Sequence, residues 1–358
     1  MKYLTLILEE RPTVEIIFPD YPRLSATLKA SILNVLLWEG VGMPKNQIQF
    51  QDGISIPRFL SLYGTEEQCQ KRLFSLRWEN GYICPNCGST SYCQLRSRPL
   101  YQCNRCHQQT SLTAGTLLSN TKLPLTVWFL AIYLITQGKN GVSALELSRH
   151  LGISYNATWR LKHKLMQAMK ESDDKQPLEN IVQLDDAYWG GKGKGGKRGR
   201  GSEKKTPFVA AIQMNSEMHP MYMRMSMVDG FKKQEITNWG KKHIEEKTLV
   251  VTDGLACFDG LVDANIYHDV ENKSQAESLE DVQEHFEWVD TMIGNVKNSL
   301  HGTYHAIRKK HLPRYLGEFC FRFNHRFSLE EMIPALLRAS VCAPPMPEKL
   351  LKLAESRW

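Results

Sequence analysis

Cys84-Pro-Asn-Cys87 and Cys103-Asn-Arg-Cys106 form two CxxC pairs in the spacing C-x2-C-x15-C-x2-C. Each pair turns two thiolates toward one ion, and two pairs complete the tetrahedral S4 set that zinc favours. An iron–sulfur cluster or a redox pair is the alternative for the same thiols. Gly88 stands where a knuckle turn needs a left-handed residue, and Tyr82, Tyr92 and Tyr101 supply strand-forming bulk around it. Four thiolates leave no open position, so a structural Zn2+ is expected at Cys84, Cys87, Cys103 and Cys106. Cys93 falls outside the spacing, and Cys69, Cys257, Cys320 and Cys342 read as core residues. An odd total of nine cysteines fits metal ligation in a reducing compartment better than a disulfide framework.

A second constellation is acidic. Gln183-Leu-Asp185-Asp186-Ala-Tyr-Trp189 sets carboxylates inside an otherwise apolar strand pattern, and Val250-Val-Thr-Asp253-Gly254 does so at the end of another. Ionised carboxylates there are costly unless they hold a cation or a partner. Two aspartates meeting from adjacent strands make an oxygen site suited to Mg2+ or Mn2+, which can align the attacking and leaving oxygens of a phosphodiester. Two aspartates capping loops at strand ends is the plainer alternative. Asp186 is expected as a supporting or capping acid and not as a metal ligand, because neighbouring strand residues face opposite ways.

The chain has 358 residues and a net charge of +7. Between Lys192 and Lys205 lie seven basic residues (Lys192, Lys194, Lys197, Arg198, Arg200, Lys204, Lys205) against Glu203 alone. So local a charge, among glycines, points to a polyanion-binding loop. No apolar run approaches the ~20 residues that span a bilayer, and MKYLTLILEE is a poor secretory signal. A cytoplasmic protein with no membrane partner is expected.

Elements must position these groups. Pro57 to Trp78 has helical spacing, with Thr65-Glu66-Glu67 as a helix start. A helical region runs from about Leu123 to Met169, and Lys170 to Asn180 is a polar connector. Within that region Ser143–His150, Leu151-Gly152-Ile153 and Ser154–Leu165 read as helix, tight turn, helix. Leu145, Leu147, Leu151, Ile153, Ala157, Leu161 and Leu165 suit the packed face, leaving Arg160, Lys162 and Lys164 for solvent or phosphate. In a helix-turn-helix the second helix enters the major groove, with Tyr155, Asn156 and Thr158 near base edges. A plain helical hairpin is the alternative. Strands are expected at Ile181–Trp189, Pro207–Met214, Met221–Val228, Thr248–Thr252 and, more weakly, Asn265–Tyr267, with a helix at Phe231–Ile244. Strands followed by long helices describe a mixed α/β sheet. Asp263 to Asp290 carries nine acids and one Lys, and Arg308 to Arg326 six Lys/Arg and one acid.

Ile293-Gly-Asn-Val-Lys-Asn-Ser-Leu-His-Gly-Thr-Tyr-His305 and Lys310–Arg326 resemble a DDE-type transposase, specifically the ISXO-like insertion-sequence transposases with an N-terminal zinc ribbon. The LDDAYWGG block, the Gly/Lys/Arg loop through Lys205-Thr-Pro, VVTDG, and Tyr63-Gly-Thr-Glu-Glu to Cys87-Gly88 extend the resemblance over about residues 58–335. It implies a ribonuclease-H-like catalytic domain preceded by a zinc ribbon and a helix-turn-helix. Asp185 and Asp253 match the two metal-binding aspartates. The third position, where many relatives carry Glu, is Asn295 here; an amide oxygen can ligate Mg2+ but adds no charge. Asp290 is a weaker substitute, since i and i+5 share a helix face poorly. Lys297 completes the signature, touching phosphate or the leaving strand, or else is a solvated helix lysine. His305, Arg322, Asn324 and Arg326 are expected as donors to DNA phosphates or to the acidic centre, with ion pairs to the 263–290 acids as the alternative.

The resulting domain plan is an N-terminal extension at 1–55, a zinc ribbon at 56–115, a helix-turn-helix region at 116–172, the catalytic domain at 173–340 and a tail at 341–358. The expected function is a DNA transposase that binds terminal inverted repeats and performs metal-dependent cleavage and strand transfer. Its partners would be double-stranded transposon ends and target, bound by a homodimer or higher oligomer associated with a bacterial nucleoid. The alternative is a domesticated DNA-binding regulator that has lost chemistry, a reading that Asn295 favours.

Overall fold

The computed structural model describes residues 53–95, 98–190, 205–271, 279–304 and 307–353, with side chains from 287 onward in the helix that starts at 279. They fall into two compact units: Gln176–Gly294, and Gln47–Lys175 together with Asn295–Trp358.

The helical unit opens with α1 (Ile56–Tyr63) and α2 (Glu66–Arg77). The break between them is the expected helix start: Thr65 and Gln68 cap each other reciprocally. The zinc-ribbon strands β1 (Tyr92–Gln94), β2 (Leu100–Cys103) and β3 (Gln109–Ser111) form an antiparallel sheet in chain order. Helix α3 (Leu125–Thr136) has the sequence LTVWFLAIYLIT, and its buried residues include Trp128, Phe129, Ile132 and Ile135. A helix apolar on every side belongs inside a core.

Helices α4 (Ala144–Leu151) and α5 (Tyr155–Asp173) follow. Ser143 and Ser154 accept from Glu146 N–H and Ala157 N–H at 3.1 and 3.4 Å, and Gly152 makes the turn at φ +64°. Helix α7 spans Leu279–Thr303, and its residues from Asn295 onward belong to this unit. The unit closes with α8 (Leu312–Asn324), α9 (Met332–Cys342) and α10 (Glu348–Leu353). A single apolar cluster joins the ribbon (Tyr82, Tyr101), α3, α5, α8 (Phe321) and α9 (Leu336, Leu337).

The second unit is a five-stranded mixed sheet: β4 (Ile181–Trp189), β5 (Thr206–Met214), β6 (Pro220–Met227), β7 (Leu249–Thr252) and β8 (Tyr267–Val270) in the order β6-β5-β4-β7-β8. β4 pairs antiparallel with β5 over nine residues, β5 antiparallel with β6, β4 parallel with β7, and β7 parallel with β8. Every residue of β5 is buried, as expected of a strand covered on both faces. The crossover from β6 to β7 is α6 (Lys233–His243). Its Ile236 and Trp239 pack with Val182, Leu184, Val209 and Val250 from one face of the sheet. Strand alternation turns Gln183 and Asp185 to the opposite face, where Gln183 Oε1 accepts from Val289 N–H of α7 at 3.2 Å. Among the described residues, no helix is long and apolar enough to cross a membrane.

Candidate active site and zinc centre

The four ribbon thiols lie mutually within 4.8 Å, with Cys84–Cys106 at 3.5 Å and Cys87–Cys103 at 3.6 Å. Sulfurs bound at ~2.3 Å to one tetrahedral ion are about 3.8 Å apart, so the set fits zinc. Both knuckles close alike: Gly88 N–H donates to Cys84 O and His107 N–H to Cys103 O, each at 3.0 Å. Both closing residues are left-handed, at φ +70° and +59°, and in the second knuckle a histidine does what glycine does in the first. Backbone N–H groups of Cys106 and Arg105 hold the Cys103 thiol down at about 6, favouring the thiolate that binds metal. Tyr82 packs between Trp78 and Tyr92, tilted to both, with ring centroids 5.0 and 4.7 Å away. Cys69, Cys257 and Cys320 are buried as expected, whereas Cys342, like Cys93, is exposed; Cys342 closes α9 at its surface end, outside the core assigned to it.

In the sheet, the parallel pairing of β4 with β7 runs from Ile181↔Leu249 to Gln183↔Val251 and then stops. The same offset carried forward sets Asp185, midway along β4, level with Asp253 just past the end of β7, where the two parallel strands part. Asp185 is 9% exposed. The carboxylates of Asp185, Asp186 and Asp253 come within 4.8 Å of one another. Oxygens sharing one octahedral Mg2+ at ~2.1 Å are about 3 Å apart when adjacent and about 4 Å when opposite, so this donor set fits a hard divalent cation.

Asp186 corrects a sequence expectation. Alternation points its side chain away, yet its carboxylate lies within 4.8 Å of those of Asp185 and Asp253, and Asp185 Oδ1 accepts from Asp186 N–H at 2.7 Å. The turn bearing Asp253 is tied down from within. Asp253 Oδ1 accepts from Leu255 N–H at 3.1 Å, and Thr252 Oγ1 accepts from Gly254 N–H at 3.2 Å. Thr252 Oγ1 also lies 2.8 Å from His268 Nε2. Burial pushes the His268 pKa down, keeping the ring neutral. Nothing in the sequence pattern flagged His268; only the β7–β8 register, Val250↔His268, brings it there.

Asn295 is exposed and Lys297 half-buried on α7, whereas Asp290 is exposed one turn and a half earlier. Of the residues expected to read DNA on α5, Tyr155 is 52% exposed and Asn156 is exposed. Arg160 is exposed and pairs with Glu348 at 2.7 Å.

Two others are corrections. Thr158 is fully buried, its hydroxyl donating back to Ser154 O at 3.0 Å. Lys162 is 1% exposed, its ammonium donating to Glu318 Oε2 at 2.9 Å and Tyr304 Oη at 2.8 Å. The cause is that α8 covers the face of α5 that a two-sided pattern leaves to solvent. Lys164 likewise donates to Leu117 O at 2.9 Å, and Leu145, expected in the packed face, is 51% exposed. Arg322 is a further correction: 9% exposed, it donates to Lys139 O at 3.1 Å and braces the α3–α4 connection instead of reaching outward. Asn324 donates to Asp173 at 3.1 Å. Half-buried Arg326 lies over the Phe323 ring at 3.7 Å and donates to Phe323 O. Lys205 is exposed beside β5. Lys192, Lys194, Lys197, Arg198, Arg200, Lys204 and His305 lie outside the described residues, as does most of the 1–55 extension.

Comparison with known proteins places this geometry. The family model for the ISXO2-like transposase domain matches residues 177–324, which carry the acidic centre, and that for the transposase zinc-ribbon domain matches residues 64–109, which carry the thiols. No curated protein matches. A solved structure, the Mos1 transposase paired-end complex with left transposon end, is 12% identical over 58% of this chain and 77% of that one. Its TM-score of 0.20 is too low to carry a structural argument. With both the thiol and the acidic cluster inside matched transposase segments, the chain belongs to the ISXO2-like transposases.

Proposed function

We propose that the chain is a DNA transposase whose ribonuclease-H-like domain cuts transposon ends and joins them to a target. The observation that carries this reading is the convergence of Asp185 and Asp253 from adjacent parallel strands, within a segment matched by a transposase family model. The sheet order, with its antiparallel second strand, is consistent with the ribonuclease-H-like arrangement.

Asp185 and Asp253 hold the catalytic cation, with Asp186 as a third carboxylate and Asn295 as the neutral ligand where relatives carry Glu. Mg2+ or Mn2+, when bound, supplies Lewis acidity toward the phosphodiester and its nucleophile. The Thr252–His268 contact keeps the Asp253 carboxylate aimed. In the first step water attacks a phosphodiester and the 3′-oxygen leaves as a hydroxyl. In the second, that hydroxyl attacks a target phosphodiester and the target's own 3′-oxygen leaves. Lys297 contacts phosphate. The basic residues Lys192–Lys205, which follow β4 in the sequence, clamp DNA, making binding steeply salt-dependent.

The ribbon at 56–115 and the helices at 116–172 bind the terminal repeats, with Tyr155, Asn156 and Arg160 as the described contacts. Two ends require at least a dimer. A marked element flanked by the terminal repeats, incubated with the purified chain, Mg2+ and a target plasmid, is expected to yield joined products. Their absence, with end binding intact, favours the second reading. In that reading Asn295 marks a binding protein without chemistry, and two variants separate the cases: Asn295→Ala lowers cleavage if the position is a working ligand, whereas Asn295→Glu creates cleavage absent from the wild type if it is the lesion.

A further inference from the structure

Tyr155 and Trp159 occupy one face of α5, four residues apart, at the helix start where major-groove contacts were expected. They do not project from a convex surface. Together with Arg308, Lys310 and Lys352 they line a cavity of about 530 Å3. That is a volume for a small molecule or one nucleotide, into which a duplex groove does not fit.

The cavity's charge and aromatic content narrow its ligand. Four cationic side chains line it, those of Arg160, Arg308, Lys310 and Lys352, against one acid, Glu348. Glu348 is already held by Arg160 and Lys352, each at 2.7 Å. The Arg308 guanidinium is exposed and has no side-chain partner among the described residues. Lys310 donates to Lys352 O, which spends one of its three N–H groups and fixes the ammonium at the rim. The Trp159 ring is backed by His163 at 4.1 Å and met edge-on by His311 at 5.7 Å. It is therefore a rigid platform, and Tyr155 stands open beside it. Cations at a rim with aromatic rings inside are the elements of a single-strand nucleic-acid site, in which phosphate meets charge and base meets ring.

We propose that this cleft holds one unpaired nucleotide of a DNA strand, its phosphate on Arg308 and Lys310 and its base against Tyr155 and Trp159. The inference rests on the DNA-binding reading above and deepens it. The helix start then captures a frayed or extruded nucleotide at the transposon end, beside the duplex that the same helix binds.

The test uses the full chain with zinc bound, a blunt end duplex, and the same duplex with a two-nucleotide single-stranded tail containing 2-aminopurine. The tail is expected to tighten binding about five- to a hundred-fold, the range one stacked base provides, and its fluorescence is expected to drop on binding. Arg308→Ala alters one exposed side chain, so the fold is not at risk. It should remove the gain from the tail and leave blunt-duplex affinity within about twofold. A conservative Arg308→Lys should retain most of the gain. Equal affinity for tailed and blunt duplexes would overturn the proposal, as would a variant that weakens both alike. Free dAMP offers the same chemistry without a strand and should displace the tail only at millimolar concentration; displacement at micromolar concentration would assign the cleft to a free nucleotide and overturn the strand assignment. A chain that still cuts ends with Mg2+ but ignores the tail refutes this inference alone. A chain that binds neither duplex refutes the DNA reading beneath it.

Discussion

Replacing Lys162 by Met removes one half of an ion pair whose side chains are each 1% exposed. Glu318 would keep Tyr304 Oη at 3.3 Å as a neutral partner for Oε2, while its Oε1 has no hydrogen-bond partner even in the wild type. Leaving a buried carboxylate uncompensated costs about 3–5 kcal/mol. For a unit of this size, about 2–4 °C per kcal/mol makes that a fall of roughly 6–20 °C in Tm. Removing both charges with Lys162→Met and Glu318→Leu relieves the penalty, so the double variant should be more stable than Lys162→Met by about 2 kcal/mol or more. Urea titrations of the four proteins give the coupling energy directly. A single-variant cost below ~1 kcal/mol, or a cost that Glu318→Leu does not relieve, refutes the argument. The same variants decide what Lys162 is for. Well below Tm, Lys162→Met should bind end DNA with wild-type affinity and salt slope; a slope smaller by about one charge would return Lys162 to the phosphate-binding role that the helical pattern assigned it.

Other consequences follow from single positions. The purified chain should carry one zinc, lost with Cys103→Ser and kept with Cys93→Ser, since Cys93 is exposed and outside the cluster; metal analysis of the two variants checks this. His163 is 1% exposed, and burial, followed by the charge of Arg314, pushes its pKa down to about 2. Its folded pKa thus lies below the unfolded value, so the unfolded chain gains protons first as pH falls below ~6.5. Stability should drop by about 2 kcal/mol between pH 7 and pH 5 on this account, and His163→Gln should flatten that part of a urea-unfolding pH series. Gly152 sits at φ +64° with open space where a Cβ would go. Gly152→Ala should therefore cost about 1 kcal/mol by conformation alone, and Gly152→Asn less, in the same unfolding measurement.

Much of this architecture was legible in short-range signals. The cysteine spacing gave the S4 set, Ser143, Ser154 and Gly152 marked the helix pair, and the β4 pattern was read to its ends at Ile181 and Trp189. These features depend on residues a few positions apart. The misreadings concern sides of elements that only tertiary packing decides. Lys162 and Thr158 fall on a helix face that looks polar, but α8, some 150 residues later, covers it. Arg322 looks like a phosphate donor in a basic stretch, yet its nearest carbonyl acceptors belong to the connection before α4. Asp186 obeys strand alternation in its backbone, yet its carboxylate comes within 4.8 Å of those of Asp185 and Asp253, a proximity no local pattern signals. His268 carried no signal, since its role depends on the register of a strand only four residues long.

The central claim is that Asp185 and Asp253 form one metal-dependent phosphodiester-cutting centre. The measurement that tests it most directly is strand nicking of labelled transposon-end DNA by the wild type, Asp185→Ala and Asp253→Ala, with Mg2+, Mn2+ or EDTA and with end binding monitored in parallel. The account predicts a 3′-hydroxyl at the element boundary with either metal, none in EDTA, and losses of at least about a hundredfold in both variants, which still bind DNA. Nicking that survives either substitution, or proceeds without divalent metal, would contradict it.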